Sequence, residues 1–377
     1  MPKHHSKQKE QIVSLITILK EVPDPRVERG KEHDLVDILV IGLCAILCGG
    51  ESFYDMEEFA EIRRPWLKTF LRLPNGAPSH DTFNRVFQIL DAETLADCFS
   101  RWTQSVRWAL GGEVVALDGK SIRRAVNQGE DMRVIVSAWA TESGLLLGQR
   151  AVRDKSNEIT AIPELLRALE LAGCIVTADA LHCQKDTAKE IIEADADYVL
   201  ALKGNQGTAF GEVKSFLDDA IQRSDQSLMF LETVEKGHGR LETRRYWQSQ
   251  NLGWFADKEK WEALRTVGVV ESVRESKSQR TVERRYYLSS LPPQIQRFAQ
   301  AVRGHWSIEN QLHWVLDVVL GEDQARARTE HAAENLAALR RMAVNLLGRD
   351  KLCRRSIKGK LMRAAIDPDY LKHLLTL

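Results

Sequence analysis

Three acidic residues sit where local patterning would present a carboxylate for chemistry. Asp118 closes the apolar run VVALD (114–118), Asp179 closes the run CIVTAD (174–179), and Glu309 lies in RGHWSIENQLHWVLDVVLGEDQARAR (303–328). On a helix, His305, Glu309, His313 and Asp317 recur every fourth residue and form one polar stripe. Carboxylates on separate rigid elements suit a hard divalent cation, and Mg²⁺ takes few carboxylates beside waters and substrate phosphates. The spacing His-x3-Glu-x3-His also has the look of zinc ligation, but hydrolytic zinc helices pair histidines four apart, and His305 and His313 are eight apart. Asp317, Glu322 and Asp323 are rivals to Glu309 as the third ligand. Asp118-Gly119 is also a common turn dipeptide, so the assignment of Asp118 depends on its partners.

With two such cations about 3.5 to 4 Å apart, the chemistry would be in-line displacement at a phosphodiester. One cation activates a water or a 3′-hydroxyl and the other stabilises the leaving oxygen. The sequence offers no nucleophile elbow and no Cys/His dyad in recognisable context for a covalent alternative.

The elements that must position these groups are those of an α/β domain beginning near residue 111. VVALD, RVIVSAWA (133–140) and LLLGQRAV (145–152) read as strands, the last two joined by the turn Glu142-Ser143-Gly144. Asn157 caps an amphipathic helix closed by Gly173. The strand ending on Asp179 comes after this helical crossover, which implies parallel pairing and would set Asp118 and Asp179 at one edge. DYVLALKGNQ (197–206) is a further strand, whose Lys203 and Asn205 resemble a phosphate-contacting loop.

Before this domain, residues 1–110 read as a helical unit. An apolar stripe over 9–20 (Ile12, Val13, Leu15, Ile16, Leu19) stops at Pro23-Asp24-Pro25, and Asp34 starts a nearly all-apolar helix ending at Gly49-Gly50. A helix over 53–70 and a second capped by Ser79 fit either a DNA-reading pair or ordinary packing. Between 228 and 291 the text is strand-like and rich in arginine, including Arg240, Arg244, Arg284 and Arg285 among Tyr and Trp. That combination suits a DNA-backbone surface or an edge sheet shielded by charge. Residues 292–348 return to the α/β domain, and 349–377 form a basic helical tail. Arg340, Arg341, Lys360 and their neighbours give this end local positive charge.

Apolar residues make up 44% and charged residues 28%, which excludes a disordered chain; Lys+Arg and Asp+Glu are both 53, so nucleic acid would have to bind to local patches. The polar start MPKHHSKQKEQ, an apolar run too short to span a bilayer, and six cysteines without a CxxC pair are the pattern of a cytoplasmic protein.

The blocks LDGKSIRRA (117–125), VSAWATESGLLLGQ (136–149), KSNEITAIPELL (155–166), TADALHCQK (177–185), YVLALKGNQ (198–206), GHGRLETRR (237–245) and the segment 303–328 run in order over most of residues 20–345. In these blocks the sequence resembles the DDE transposases of bacterial insertion sequences, in the group of H-repeat-associated proteins. The resemblance implies an RNase H-like mixed sheet flanked by helices, with a β-rich insertion between the second and third acids. It makes Asp118, Asp179 and Glu309 the metal-binding triad, holding Mg²⁺ with Mn²⁺ as a substitute. The activity implied is DNA cleavage at element ends and strand transfer by a homodimer that pairs two ends. A nuclease without strand transfer, or a silent DNA-binding relative, is the alternative. Lys120, Arg123, Lys203, Asn205, Arg240, Arg244 and His305 are the expected DNA contacts. Related transposases carry a Tyr, an Arg and a Lys around the glutamate; those offsets here hold Val302, His305 and Leu316, so the wider signature is not met.

Overall fold

The computed structural model describes residues 15–29, 31–106, 112–124, 132–152, 158–237, 240–276 and 279–377. Ile12, Val13, the Asn157 cap and the His238-Gly239 break lie outside them.

Strands β1 (Val114–Ser121), β2 (Val134–Ala140) and β3 (Leu145–Val152) form an antiparallel meander. Its hairpin closes at Gly144, whose φ of 65° is in the left-handed region that glycine tolerates. After helix α6 (Glu158–Arg167), β4 (Ile175–Ala178) lies parallel to β1; after α7 (Lys185–Glu193), β5 (Asp197–Leu202) lies parallel to β4. This is the expected RNase H-like mixed sheet. The strands expected between 228 and 291 are β6 (Met229–Gly237), β7 (Arg240–Ser249), β8 (Thr266–Glu275) and β9 (Arg280–Ser289), an antiparallel meander. Because β9 pairs antiparallel with β5, the meander extends the same sheet, in the order β3-β2-β1-β4-β5-β9-β8-β7-β6.

Alternation along each strand divides the side chains between two faces. Val115, Leu117, Val176, Leu200 and Val267 pack with α6, α7 and α8 (Gly207–Gln222). On the opposite face Val114, Ile175, Val199 and Tyr287 meet Ile295, Phe298 and Val302 of α9 (Ile295–His305). At Gly268 the ring of Phe298 from α9 packs directly on the strand: a Cβ there would lie 2.5 Å from it. Gly268→Ala is therefore expected to cost about 1–3 kcal/mol of stability by overpacking, read as a lower denaturation midpoint, with Phe298→Leu in the same chain recovering part of it.

A third core joins the N-terminal helices to the end of the chain. Helix α2 (Leu35–Leu47) has almost every residue buried, and it packs with α10 (Ala332–Arg349) and with Leu361, Tyr370 and Leu374 of the last two helices. Burial corrects the reading of the basic C-terminal stretch. Arg340 and Arg341 are 1% and 0% exposed, and Lys360 donates to Leu347 O at 2.6 Å and Asp350 O at 2.8 Å. These cations close internal contacts, including the carboxyl end of α10, which a count of charges along the sequence does not register.

Candidate active site

The face of the sheet that meets α9 also carries the acids. Asp118 continues the alternation of Val114 and Ala116, Asp179 that of Ile175 and Thr177, and Lys203 that of Val199 and Ala201. In the parallel register Leu117 is opposite Ala178, so Asp118, still in β1, and Asp179, the first residue past β4, follow side by side. There is no turn at Asp118: β1 runs on, with Gly119 paired to Val136 and Lys120 to Ile135. Gly119 instead leaves room for the Glu158 carboxylate, since a Cβ would lie 2.7 Å from Glu158 Oε2 and displace it. β4 ends at Ala178 instead, and Asp179 caps the following turn, its Oδ1 accepting from Leu181 N at 3.1 Å and His182 N at 3.3 Å.

Beyond α9 the chain continues as two π-helical segments, π1 (Ile308–His313) and π2 (Val315–Val319), where an α-helix was expected. The π turn is wider, so residues four apart fall short of a full turn where in an α-helix they overshoot it. Glu309 is exposed on π1 and lines, with Asp118, Asp179, Lys203, Arg285 and His305, a cavity of about 180 Å³. The three expected acids thus border one cavity. The rivals are engaged elsewhere: Lys120 Nζ lies 2.7 Å from Asp317, 3.3 Å from Glu322 and 3.1 Å from Asp323, and Arg341 Nη1 lies 2.5 Å from Glu322.

Burial, then the neighbouring Asp179, pushes the Asp118 carboxyl up to about 7, with Glu309 and Glu158 adding to the shift and the Gly119 amide opposing it. Burial holds His305 at about 4 against the pull of Asp179; His305 Nδ1 is 3.0 Å from Thr177 Oγ1, which pins the end of α9 to β4. His313 is also held at about 4 by burial, then by Arg341 and Lys120, and its Nδ1 lies 3.7 Å from Asp118 Oδ2. Among the described residues, no three His, Cys, Asp or Glu side chains stand close enough to hold a metal ion as they are. In donor chemistry, three carboxylates round one cavity fit a hard divalent cation, and such an ion would offset the burial and, after it, the neighbouring negative charge that raise Asp118.

The raised Asp118 has a pH signature in metal-free protein. A folded value of about 7 lies above the ordinary 3.8, so between these limits the folded state binds the Asp118 proton more tightly than the unfolded chain does. Stability then falls as pH rises through the window and stays low above it. With Asp118 only 20% exposed, the loss should be roughly 2–4 kcal/mol, and Asp118→Asn should abolish it. Melting in EDTA between pH 4 and 8 checks this.

The other expected contacts are distributed unevenly. Lys203 lies exposed beside the acids, and Arg240 and Arg244 line an adjoining groove of about 290 Å³ with Arg274, Arg285 and Arg303. Arg244 is partly neutralised by Glu235 and Glu242. Arg123 is 78% exposed beside Asp323. Asn205 donates to Ala180 O at 2.6 Å, bracing the turn after Asp179. Lys120 is 7% exposed among three carboxylates, which corrects its placement on a DNA-facing surface. Trp306 lines both cavities and carries the Arg285 guanidinium 4.4 Å above its ring. Sequence reasoning missed Glu158 and His182. Both are buried, with His182 Nε2 3.8 Å from both Glu158 and Asp179. Their positions inside two of the matching blocks were the available signal.

A meander followed by two parallel strands, with acids side by side on the central pair, defines an RNase H-like domain. The family description "Transposase DDE domain" matches residues 109–346, and "DDE_Tnp_1-associated" matches 16–103. The chain belongs to the DDE transposases, in the H-repeat-associated group. It is 38% identical over 370 residues to "Putative transposase YncI" of Escherichia coli O157:H7, covering 97% of this chain and 95% of that protein. It is 36% identical over 375 residues to "H repeat-associated putative transposase YhhI" of Escherichia coli strain K12, covering 97% and 98%. The solved piggyBac transposase synaptic complex with hairpin DNA aligns with a TM-score of 0.44 and 10% identity, over 97% of this chain and 78% of that one. No helix among the described residues is long and apolar enough to cross a membrane.

Proposed function

We propose that this protein is a DNA transposase that cleaves phosphodiesters at the ends of an insertion sequence and joins the freed 3′-hydroxyl to target DNA. The observation that carries the reading is the side-by-side placement of Asp118 and Asp179 beyond parallel strands, with Glu309 on the same cavity. These three carboxylates would hold the divalent metal, Mg²⁺ or Mn²⁺, which when bound activates the attacking oxygen and stabilises the leaving one. In cleavage, water attacks phosphorus and the 3′ oxygen leaves as a hydroxyl; in joining, that hydroxyl attacks a target phosphodiester and displaces the next 3′ oxygen.

The chain's own residues would place the strand. Lys203 beside the acids and Arg240 in the adjoining groove supply positive charge along a path to the cavity, as phosphate contacts require, and Arg244, Arg274 and Arg303 there outnumber the Glu235 and Glu242 they share. Arg123 adds an exposed cation near the strand of Asp118. The helices of residues 16–103 are a second DNA-facing surface in this reading, with Arg85 exposed on the helix capped by Ser79. The active species is a homodimer, because two ends must be joined together.

Incubation of the full chain with Mg²⁺ and DNA carrying its flanking inverted repeats tests the proposal. Cleavage and joining, both lost in Asp118→Asn, are the expected result. Cleavage without joining would make it a nuclease of the same fold. Tight binding without any cut would reduce it to a DNA-binding relative.

A further inference from the structure

We infer that Lys120 is a positioning residue: from β1 it ties down the helical rod bearing Glu309, and so sets the approach of Glu309 to Asp118 and Asp179. The inference rests on the metal-site reading above. Lys120 stands two residues beyond Asp118 on the same strand and face. Its ammonium is 7% exposed, 2.7 Å from Asp317 Oδ1, 3.3 Å from Glu322 Oε2 and 3.1 Å from Asp323 Oδ1. Asp317 belongs to π2, which continues the rod of Glu309, and Glu322 and Asp323 form the turn that ends it. One strand therefore holds a proposed ligand, Asp118, and also the clamp on the rod that carries another.

The clamp is balanced and anchored on its far side. Glu322 is 0% exposed and shared with Arg341 of α10, itself 0% exposed, while Asp323 is 3.4 Å from Arg123. Three carboxylates thus meet three cations, so removing Lys120 leaves negative charge in excess at the end of the rod. The inner face of the rod is seated in the core through Ile308, Leu312, Leu316 and Leu320, while Trp314 and Val318 on its outer side are exposed, so Lys120 supplies the polar tie between the rod and β1. His313, between the clamp and the site at 3.7 Å from Asp118, would move with it. Partners that orient metal ligands typically change affinity by about 10- to 100-fold when removed.

Mn²⁺ binding to the full chain, followed by the electron paramagnetic resonance of free Mn²⁺, tests this. Lys120→Met should weaken binding about 10- to 100-fold. Its affinity for inverted-repeat DNA in EDTA, and the salt dependence of that affinity, should equal wild type. Lys120→Met combined with Asp317→Asn should recover much of any lost melting temperature without recovering Mn²⁺ affinity, whereas a purely structural role would recover both. Asp317→Asn alone, at a residue 33% exposed, keeps the test open should Lys120→Met fail to fold, and should weaken Mn²⁺ roughly tenfold. Wild-type Mn²⁺ affinity in a folded variant would overturn the inference. So would reduced DNA affinity with a shallower salt slope, which would make Lys120 a phosphate contact. Asp118→Asn separates the layers: if it binds Mn²⁺ like wild type, the metal-site reading falls and this inference with it. If Asp118→Asn loses the ion while Lys120→Met keeps it, only the role of Lys120 falls.

Discussion

Asp118→Asn, Asp179→Asn and Glu309→Gln should each lower the rate of DNA cleavage by about a thousandfold or more, while end binding in EDTA stays within a few-fold of wild type. The magnitude follows from what a bound metal contributes: several kcal/mol of stabilisation for the charge developing at phosphorus, where each 1.36 kcal/mol is about a factor of ten in rate. The amide variants keep size and shape, so the change is in ligation and charge. Asp118 should be the most sensitive, because it is the most buried of the three acids. At saturating Mg²⁺, Asp317→Asn and Asp323→Asn should retain cleavage, since Lys120 already holds both carboxylates. Single-turnover rates on labelled inverted-repeat DNA measure all five. Loss of cleavage in the Asp323 variant with an active Glu309→Gln would reassign the third ligand.

Arg341→Met should destabilise the protein by about 3–5 kcal/mol, the usual cost of leaving one member of a buried ion pair without its partner. Arg341 and Glu322 are both 0% exposed, and the guanidinium also donates to Ala337 O at 3.2 Å. Lys120 would remain near Glu322 at 3.3 Å, but it is shared with two other carboxylates. Arg341→Met combined with Glu322→Gln should recover a large part of the loss, because what costs most is the unpaired charge. Urea denaturation of the wild type and the two variants measures this. An unchanged midpoint in Arg341→Met would mean that the clamp draws nothing from α10.

The parts of the fold that follow from short-range patterning were readable in the residues. Alternation in VIVSAWA and LLLGQRAV, with Gly144 between them, specifies the hairpin. The repeated device of an apolar run ending in Asp led to the parallel pairing that places Asp118 beside Asp179. The remainder depended on tertiary environment. Nothing local shows that β9 pairs with β5, because a register between strands some ninety residues apart is decided by the whole sheet. The fates of Lys120, Arg340 and Arg341 were hidden for a related reason: a charge is readable in a sequence, but its burial against Glu322 or Glu51 is not. The π-helical rod was missed because the periodicity argument assumes the α turn. Glu158 was hidden by its position at the start of a helix, where an acid is ordinarily explained by the helix dipole.

In the proposed function, Asp118, Asp179 and Glu309 together hold the metal that acts on DNA. Anomalous diffraction at the manganese edge, from crystals of the protein with inverted-repeat DNA and Mn²⁺, tests it most directly. Anomalous density ligated by those three carboxylates and by a DNA phosphate is the expected result. Density at Asp317, Glu322 and Asp323 instead, with none between Asp118 and Asp179, would contradict it.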